Sequence, residues 1–365
     1  MLKRMLCITG GLGYIGGHCL LYWLDTFAPL PVLLVDYAPA LKAAWLTHLP
    51  AHYQQRITLV SGDITDETWL AEVFAQYQPT AVLHLAALSV VADSFAQAKA
   101  YHHTNTAGTV SVAKALVSLG ARVTTSGGVA PRAMVFASSA AVYGAIPWGE
   151  LGDPNLHSPL PASPYGLSKW QAEQALQSLV ASQADSLQVA ILRYFNVLGN
   201  DPQGRHTENH SPETHLWPLL LSHNAKQQGA FIVNPAPCTT VDGSCVRDYQ
   251  QVTQVAQRTV SVAQQLLAGE VAHPMSIANV CSGQPTSTLQ LLAQAQAARG
   301  ETIPWAWGQP RRGDVAWLVG DPSPVLQPYH PLPLGEGAAL AAGEGHKSQK
   351  AMGDPHPSHS QRERV

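Results

Sequence analysis

The sequence predicts an α/β fold, a doubly wound parallel sheet joined by a smaller lobe toward the C-terminal end. Short, continuous apolar runs recur through the first half of the chain, and stretches of helical character separate them. Strands that are apolar on both faces are typical of a parallel sheet covered by helices on both sides. The predicted strands cover residues 6–9, 31–35, 57–60, 81–85, 133–137 and 189–192, and the predicted helices cover 13–26, 68–76, 101–119 and 165–182.

Beyond about residue 196 the pattern changes to shorter elements rich in Pro, His and Gly. We therefore predict a first domain over residues 1–195 and a mixed lobe over 196–333, from which the chain returns to the core. Residues 334–365 carry Gly, Ala, His, Ser and charge with little apolar periodicity, so they are predicted to form a disordered tail. The length of 365 residues is ample for this organisation.

The composition excludes several classes of partner. Charged residues make up 12% of the chain and the net charge is -3, so a nucleic-acid partner is not expected. Glycines interrupt the apolar N-terminal stretch, and no run approaches the ~20 apolar residues of a membrane span, so neither a signal peptide nor a membrane partner is predicted. The five scattered cysteines and 16 histidines indicate no disulfide framework and no metal site, which favours a cytoplasmic location.

A glycine-rich turn, Thr-Gly-Gly-Leu-Gly-Tyr-Ile-Gly-Gly at 9–17, follows the first predicted strand. Gly10, Gly13 and Gly16 let backbone amides approach a pyrophosphate at a helix N-terminus. Asp36 ends the second strand twenty residues beyond Gly16. A carboxylate there can bond both ribose hydroxyls and repel a 2′-phosphate, which favours NAD over NADP, while a helix-capping aspartate is the alternative interpretation.

Further cofactor contacts are predicted at the carboxyl ends of later strands, where ligands of doubly wound sheets bind. Asp63 follows the third strand and could bond the adenine amine, although a turn aspartate fits the same pattern. Small residues at 82–87 leave room for the cofactor. Asn105 lies on the following predicted helix, where it could hold the catalytic lysine or the nicotinamide ribose, or could face solvent.

The run Ser-Pro-Tyr-Gly-Leu-Ser-Lys places Lys169 one helical turn beyond Tyr165, on the same face. A phenol acts as a base near neutral pH only if its pKa is lowered, and a neighbouring ammonium group can lower it. A Ser-Ser pair at 138 and 139 comes before this run. Together with the glycine-rich turn, these residues predict a nicotinamide-dependent active site.

The order of these motifs resembles the extended short-chain dehydrogenase/reductase family across roughly residues 6–321, which implies a Rossmann-type fold. Within that family, four blocks are similar to those of the UDP-glucose 4-epimerases: Arg-Tyr-Phe-Asn-Val-Leu-Gly from 193, Asp-Pro-Gln-Gly-Arg from 201, Ser-Pro-Glu-Thr-His-Leu-Trp-Pro from 211 and Asp-Gly-Ser-Cys-Val-Arg-Asp-Tyr from 242. The resemblance implies interconversion of UDP-galactose and UDP-glucose through a 4-keto sugar, by reversible hydride transfer to bound NAD. It also implies a homodimer.

The resemblance assigns roles to individual residues. Tyr165 is the implied base, Lys169 activates it and anchors the ribose, and Ser139 bonds the sugar 4-hydroxyl. Implied cofactor contacts are Gly10, Gly13, Tyr14, Ile15, Gly16, Asp36, Asp63, Ile64, Leu85, Ala86, Ala87, Asn105, Ser138, Tyr165, Lys169 and Phe195. Implied substrate contacts are Ser139, Tyr165, Asn196, His215, Leu216, Arg247, Tyr249, Arg311 and Asp314. Guanidinium groups suit a diphosphate independently of the resemblance, since they form fork-shaped contacts with its oxygens.

Other activities remain open at this point, including another NAD-dependent nucleotide-sugar epimerase. A 4,6-dehydratase would need an acid–base pair beside Ser139, where the chain has Ala140 and Ala141. A catalytically silent NAD-binding protein is suggested by residues 231–240, which depart from the family pattern at the uracil segment. Leu318, seven residues beyond Arg311, occupies a position that the resemblance implies gates N-acetyl sugars by size, which predicts a preference for non-acetylated sugars.

Overall fold

The structure is a computed structural model that describes residues 5–27, 29–37, 43–124, 127–208, 213–323 and 326–329. The predicted tail at 334–365 lies outside these residues. The strands in chain order are β1 (Leu6–Thr9), β2 (Val32–Asp36), β3 (Ile57–Ser61), β4 (Ala81–His84), β5 (Arg122–Val123), β6 (Val129–Ala130), β7 (Arg132–Ser139), β8 (Leu187–Tyr194), β9 (Asn196–Leu198), β10 (Phe231–Val233), β11 (Val246–Gln251), β12 (Met275–Val280), β13 (Pro285–Ser287), β14 (Trp305–Trp307), β15 (Trp317–Leu318) and β16 (Gln327–Pro328).

Eight of these strands form the main sheet, in the order β16-β12-β8-β7-β4-β1-β2-β3. Neighbouring strands are parallel throughout, except that β16 runs antiparallel to β12. This arrangement confirms the predicted α/β fold with a doubly wound parallel sheet. The strand order reverses between β1 and β4, and the connections leaving such a pair diverge, which opens a crevice at the carboxyl ends of the strands.

Helices cover both faces of the main sheet, because alternate residues of its strands point to opposite sides. Leu6 and Ile8 of β1 belong to the core that packs against the helices Tyr14–Thr26 and Val252–Ala268. Cys7, between them, belongs to the opposite core, which contains residues from Glu67–Tyr77, Gly108–Ser118 and Pro164–Gln183. The continuous apolar character of the strands follows from this burial on both sides.

The remaining helical segments are short or belong to the lobe. They are Ala51–Gln54, Val91–Ser94, Ala98–Tyr101, Leu216–Ser222, Ala225–Gln228 and Thr288–Arg299, with 3-10 turns at Ala44–His48 and Ala140–Val142. The predicted helix 101–119 is interrupted, because a π-helical segment at His102–Ala107 comes before Gly108–Ser118. An added residue per turn is not visible in an apolar pattern, and such segments occur frequently at functional sites.

The helix Pro164–Gln183, here called the Tyr165 helix, has its start fixed by sequence. Ser163 is the N-cap, and its hydroxyl accepts a hydrogen bond from the Gly166 amide at 3.1 Å. Pro164 occupies the first helical position, where a missing N–H costs nothing. The register of Tyr165 and Lys169 relative to the sheet therefore follows from this local cap.

The second lobe is built around β11, which pairs with β9 and β15 in parallel and with β13 in antiparallel fashion. A separate pair, β10 and β14, lies beyond it. The chain also returns to the main sheet after residue 196, as Val252–Ala268 packs against the first helix and β12 pairs with β8. Among the described residues, no helix combines the length and apolar character needed to cross a bilayer.

Candidate active site

The glycine-rich turn connects β1 to the first helix. Gly10 has φ +70°, and a Cβ added there would lie 2.7 Å from the Ala86 amide nitrogen after β4. A Cβ on Gly16 would lie 2.1 Å from the Gly10 carbonyl oxygen. Gly13 caps the helix without a side chain. A side chain at Gly10 or Gly16 would therefore disrupt the turn. The start of the helix has no side-chain cap.

Asp36 is the last residue of β2 and is buried, with its Oδ2 accepting a hydrogen bond from the Leu12 amide at 3.0 Å. The carboxylate thus lies against the glycine-rich turn. Asp63 is exposed, and its Oδ1 accepts from the Thr65 amide at 2.9 Å and from its hydroxyl at 2.8 Å. Those bonds form a local turn, which fits the turn interpretation of Asp63. Ile64 beside it is buried.

The segment after β4 is held by Asn105. Its side-chain oxygen accepts from the Leu88 amide at 2.8 Å, and its Nδ2 donates to the Leu88 carbonyl at 2.9 Å and to the Ser168 hydroxyl at 3.0 Å. These bonds engage the fully buried amide, so Asn105 ties this segment to the Tyr165 helix and not directly to Lys169. The segment's half-buried residues include the predicted cofactor contacts Leu85, Ala86 and Ala87.

Ser139, Tyr165 and Lys169 meet at the carboxyl end of β7. Ser139 ends that strand, and its hydroxyl accepts from the Ala141 amide at 3.1 Å. The Lys169 Nζ donates to the Ala137 carbonyl at 2.8 Å and lies 5.1 Å from the centroid of the Phe136 ring. The helix spacing and the strand end therefore place a phenol, an ammonium group and a hydroxyl together, as the sequence predicts.

Burial governs the protonation of both ionisable groups. Burial lowers the pKa of the Lys169 ammonium to about 7, against the opposing effect of the Glu173 charge. Burial raises the pKa of the Tyr165 phenol, against the opposing effect of a hydrogen bond with Ser139. The lowered phenol pKa expected from the sequence is thus not found, because burial disfavours the phenolate more than the Ser139 hydrogen bond favours it.

The remaining predicted residues of the first domain are more deeply placed. The Ser138 hydroxyl donates to the Glu173 Oε1 at 2.5 Å, and Ser138 itself is buried. Phe195 is buried in a small core with Tyr143, and a Cβ added to Gly320 would meet its ring. Both residues shape the wall of the site, and the observed partner of the Ser138 hydroxyl is a carboxylate.

β11 brings part of the predicted substrate contacts toward this site. Asn196 is opposite Tyr249 in the parallel pairing of β9 with β11, and Leu318 of β15 is opposite Arg247. The Arg247 Nη1 donates to the carbonyl of Val315 at 2.6 Å. Two neighbouring strands, β9 and β11, therefore hold an amide side chain, a guanidinium and a phenol in one small sheet.

The Asp314 carboxylate lies 3.5 Å from the Arg247 Nη2, so two of the predicted substrate contacts are neighbours. The Arg311 guanidinium faces the side-chain amide of Asn234, with Nη2 3.1 Å from the amide oxygen in the orientation that pairs donor with acceptor. The next residue, Arg312, instead lies 4.5 Å from the centroid of the Phe95 ring. The two adjacent arginines thus have different surroundings, and Arg311 contacts the segment that departs from the family pattern.

His215 comes directly before the helix that Leu216 begins, and it contacts two carboxylates. Its Nδ1 lies 2.5 Å from the Glu208 carboxylate and 3.0 Å from the Glu213 carboxylate. Burial lowers the pKa of His215, but the hydrogen bonds and charges of the two carboxylates outweigh burial and raise it. The three side chains have ligand atoms within 4.8 Å of one another, a grouping that the sequence did not predict. Ion pairs between the protonated His215 imidazole and the two carboxylates account for this grouping.

A loop of the lobe, residues 199–208, packs on the first helix, a contact that the sequence does not predict. The Tyr14 hydroxyl donates to the Gly199 carbonyl at 2.5 Å. The His206 ring fills the space beside Gly17, where a Cβ would lie 2.4 Å from it, and its centroid is 4.4 Å from that of Trp45. Ile15, a predicted cofactor contact, packs against the core that contains Leu6 and Ile8. The first helix is therefore contacted by the lobe as well as by the main sheet.

These features fit NAD. The glycine-rich turn has the tight Gly10 and Gly16 approaches and the uncapped helix start that a pyrophosphate requires, and Asp36 presents a carboxylate at the end of β2. The fold and site together define a short-chain dehydrogenase/reductase type of protein, with a dinucleotide crevice and a Tyr-Lys pair at its edge.

The chain belongs to the NAD dependent epimerase/dehydratase family, whose model matches residues 6–278. It is similar to the UDP-glucose 4-epimerases of Rhizobium meliloti (strain 1021), at 31% identity, and of Rhizobium leguminosarum bv. trifolii, at 32% identity. Each alignment covers 88% of this chain and 90% of the relative. Its structure resembles that of the UDP-glucose-4-epimerase from Stenotrophomonas maltophila with bound NAD and formylated UDP-arabinopyranose, with a TM-score of 0.74, 28% identity and coverage of 87% and 90% of the two chains.

Proposed function

We propose that this protein interconverts UDP-galactose and UDP-glucose with a bound NAD. The observation that carries the proposal is the grouping of Ser139, Tyr165 and Lys169 at the end of β7, in the same sheet as β1, which leads into the glycine-rich turn. The lobe strand β11 bears Arg247. The names of the similar proteins support this activity. NAD would be held by residues of 1–195, and the UDP-sugar by the lobe at 196–333.

Each group has a defined task in the proposed reaction. Tyr165 accepts the proton of the sugar 4-hydroxyl and later returns it, while Ser139 bonds the same hydroxyl. Lys169 supplies the positive charge that favours the phenolate. Arg247 and Arg311 hold the diphosphate, so that the sugar ring can present either face. NAD, when bound, supplies a reversible hydride acceptor, which makes the overall reaction redox-neutral.

The direct test is to incubate the purified protein with UDP-galactose and to separate the products by chromatography. We expect UDP-glucose to form until equilibrium is reached. The same ratio of the two sugars should be reached when the reaction starts from UDP-glucose. A 4-keto-6-deoxy product would instead identify a dehydratase, and unchanged UDP-galactose would identify a silent protein. Ala140 lies buried in the turn after Ser139 and Ala141 offers no proton, so the geometry disfavours elimination.

Asp36→Asn tests the assignment of cofactor type. The amide keeps the shape and can still accept from the Leu12 amide, but it removes the negative charge that would bond the ribose hydroxyls and repel a 2′-phosphate. We expect about tenfold weaker NAD binding, equivalent to roughly 1.4 kcal/mol, with a smaller preference over NADP. Titration calorimetry of the cofactor-free protein measures both affinities. Asp185→Asn, at an exposed position, is the matched control, and unchanged NAD affinity in Asp36→Asn would reject the assignment.

Leu318 is the proposed size gate for the sugar. It is buried in β15 opposite Arg247, in the same small core as Tyr143 and Phe195. We expect wild-type protein to prefer UDP-galactose over UDP-N-acetylglucosamine, and Leu318→Ser to reduce this preference by roughly tenfold, because a smaller side chain leaves room at carbon 2. The ratio of kcat/KM values measures the effect, with the exposed Leu156→Ser as control. Equal turnover of both sugars by the wild type would contradict the gate.

We also propose a homodimer in the cytoplasm. The resemblance to the epimerase family motivates the dimer, and light scattering of the purified protein tests it. Free thiols support a reducing location: Cys7, Cys19, Cys245 and Cys281 are buried and Cys238 is exposed, each without a disulfide partner in the described part of the chain. A monomeric mass would contradict the first proposal, and fractionation of the source cells tests the second.

A further inference from the structure

Glu173 lies on the same helix as Tyr165 and Lys169 and has no part in the proposed proton and hydride transfers. It is completely buried on the Tyr165 helix, one turn beyond Lys169. Buried carboxylates are costly unless they are paired and hydrogen-bonded. A buried carboxylate at position 173 therefore requires partners that offset its burial.

Two strands converge on this carboxylate. The Arg193 Nη2 donates to Oε2 at 2.7 Å and its Nε donates to Oε1 at 3.0 Å, while the Ser138 hydroxyl donates to Oε1 at 2.5 Å. Ser138 and Arg193 are directly opposite each other in the pairing of β7 with β8. Glu173 thus fastens the Tyr165 helix to the ends of both strands, one residue from Ser139.

The fastening extends further into the protein. The Arg193 guanidinium lies 4.6 Å from the centroid of the Tyr143 ring, and the Tyr143 hydroxyl donates to the Asn279 side-chain oxygen at 2.8 Å. Asn279 belongs to β12, the strand that returns from the second lobe. A buried polar chain thus runs from Ser138 of β7 through Glu173, Arg193 and Tyr143 to β12, and Glu173 is its member on the helix that carries Tyr165 and Lys169.

Glu173 also provides negative charge close to Lys169. The Ala137 carbonyl and the Phe136 ring of β7 also lie at the Lys169 ammonium, and the imidazole of His84 in β4 is near enough for its pKa to respond to the Lys169 charge. Burial and the Lys169 charge hold the pKa of His84 down at about 3, so it is neutral and supplies no counter-charge. Glu173 is the carboxylate that offsets the burial of Lys169.

We propose that Glu173 is a positioning residue of this site, which fixes the Tyr165 helix against Ser138 and Arg193 and keeps Lys169 in its charged form. It touches neither sugar nor cofactor in this account, and acts through Lys169 and Ser139. The inference rests on the proposed function for its catalytic consequence, but the charge state of Lys169 can be measured without turnover.

The sign of the expected effect follows from electrostatics. An opposite charge near an ammonium group favours the protonated form, so removing the Glu173 carboxylate lowers the pKa of Lys169 below its present value of about 7. Lys169 then loses its charge at a lower pH, and the phenolate of Tyr165 loses its support. The high-pH limb of the kcat profile should move to lower pH, whereas a merely structural role would lower kcat equally at every pH.

The test is competitive labelling of lysines with acetic anhydride across pH 5–10, read by mass spectrometry on the peptide that contains Lys169, since only the uncharged amine reacts. For Glu173→Gln we expect the midpoint to fall by about one pH unit, with a matching shift in the kcat profile. Glu72→Gln, at an exposed carboxylate on another helix, is the matched control and should leave both unchanged. An unshifted or raised midpoint would overturn the proposal.

A second variant covers the case in which Glu173→Gln does not fold, because it leaves the buried Arg193 charge uncompensated. The double variant Glu173→Gln/Arg193→Met removes both charges of the pair. It should show a smaller downward shift at Lys169, because loss of the Arg193 charge raises the pKa of a neighbouring ammonium group. If the wild type does not convert UDP-galactose, the proposed function fails while the labelling result still decides the role of Glu173. If conversion occurs and neither variant shifts Lys169, the proposed function stands and this inference fails.

Discussion

Tyr165→Phe is expected to lower kcat for conversion of UDP-galactose by roughly 10²- to 10⁴-fold, the range typical of a lost positioned acid–base group. The substitution removes only the phenolic oxygen, and the ring can keep its edge-to-face contact with Tyr101, whose centroid lies 6.3 Å away. Binding of UDP should therefore change little, so the effect should fall on kcat and not on KM. Steady-state kinetics in both directions measure it.

Tyr53→Phe is the matched control for this experiment. The Tyr53 hydroxyl donates to the Asp25 carboxylate at 2.7 Å, outside the candidate site, so its loss should leave kcat within a factor of two. Tyr165→Phe with wild-type kcat would remove Tyr165 from the reaction, and the same loss in both variants would indicate a general effect on stability.

Lys169→Met should lower kcat by roughly 10²-fold at neutral pH. Methionine has a similar length, but it lacks the ammonium group that donates to the Ala137 carbonyl and that favours the phenolate. Burial already raises the pKa of Tyr165, and loss of the neighbouring positive charge raises it further, so the phenolate becomes harder to form. We expect part of the activity to return as pH rises, because bulk hydroxide then shifts the phenol toward its ionised form.

The control for Lys169→Met is Lys114→Met. Lys114 is exposed and pairs with Glu67 at 2.9 Å, an interaction of the type that contributes little to stability. Lys114→Met should keep the wild-type kcat–pH profile, including its fall at high pH, whereas kcat of Lys169→Met should rise with pH. A Lys169→Met variant that keeps more than half of the wild-type kcat at every pH would exclude an electrostatic role for Lys169.

The main sheet could be predicted from sequence because its strands are buried on both faces. β1 is observed where it is predicted, at Leu6–Thr9, and the other five predicted strands differ mainly at their ends. β12 was missed because Ser276 and Asn279 interrupt its apolar run, and their burial depends on partners elsewhere in the chain. The helix Val252–Ala268 could have been found, since its buried residues recur at helical spacing.

In the candidate site, too, some features are local sequence patterns and others depend on the folded structure. The Tyr165 and Lys169 spacing and the glycine-rich turn are local patterns, so the sequence contains them in full. Glu173 also lies at helical spacing from Lys169, but its partner Arg193 is brought to it only by the register of β7 with β8. The upward pKa shift of Tyr165 likewise follows from burial in the folded protein, which no short motif specifies.

In the proposed reaction, hydride passes from the sugar to one protein-bound NAD and then returns to the same sugar. The most direct measurement is conversion of UDP-galactose by gel-filtered protein with no NAD added, followed by product analysis and absorbance at the wavelength of NADH. We predict formation of UDP-glucose to equilibrium with no accumulation of free NADH. Conversion that requires added NAD and accumulates NADH would contradict the claim and indicate a net dehydrogenase.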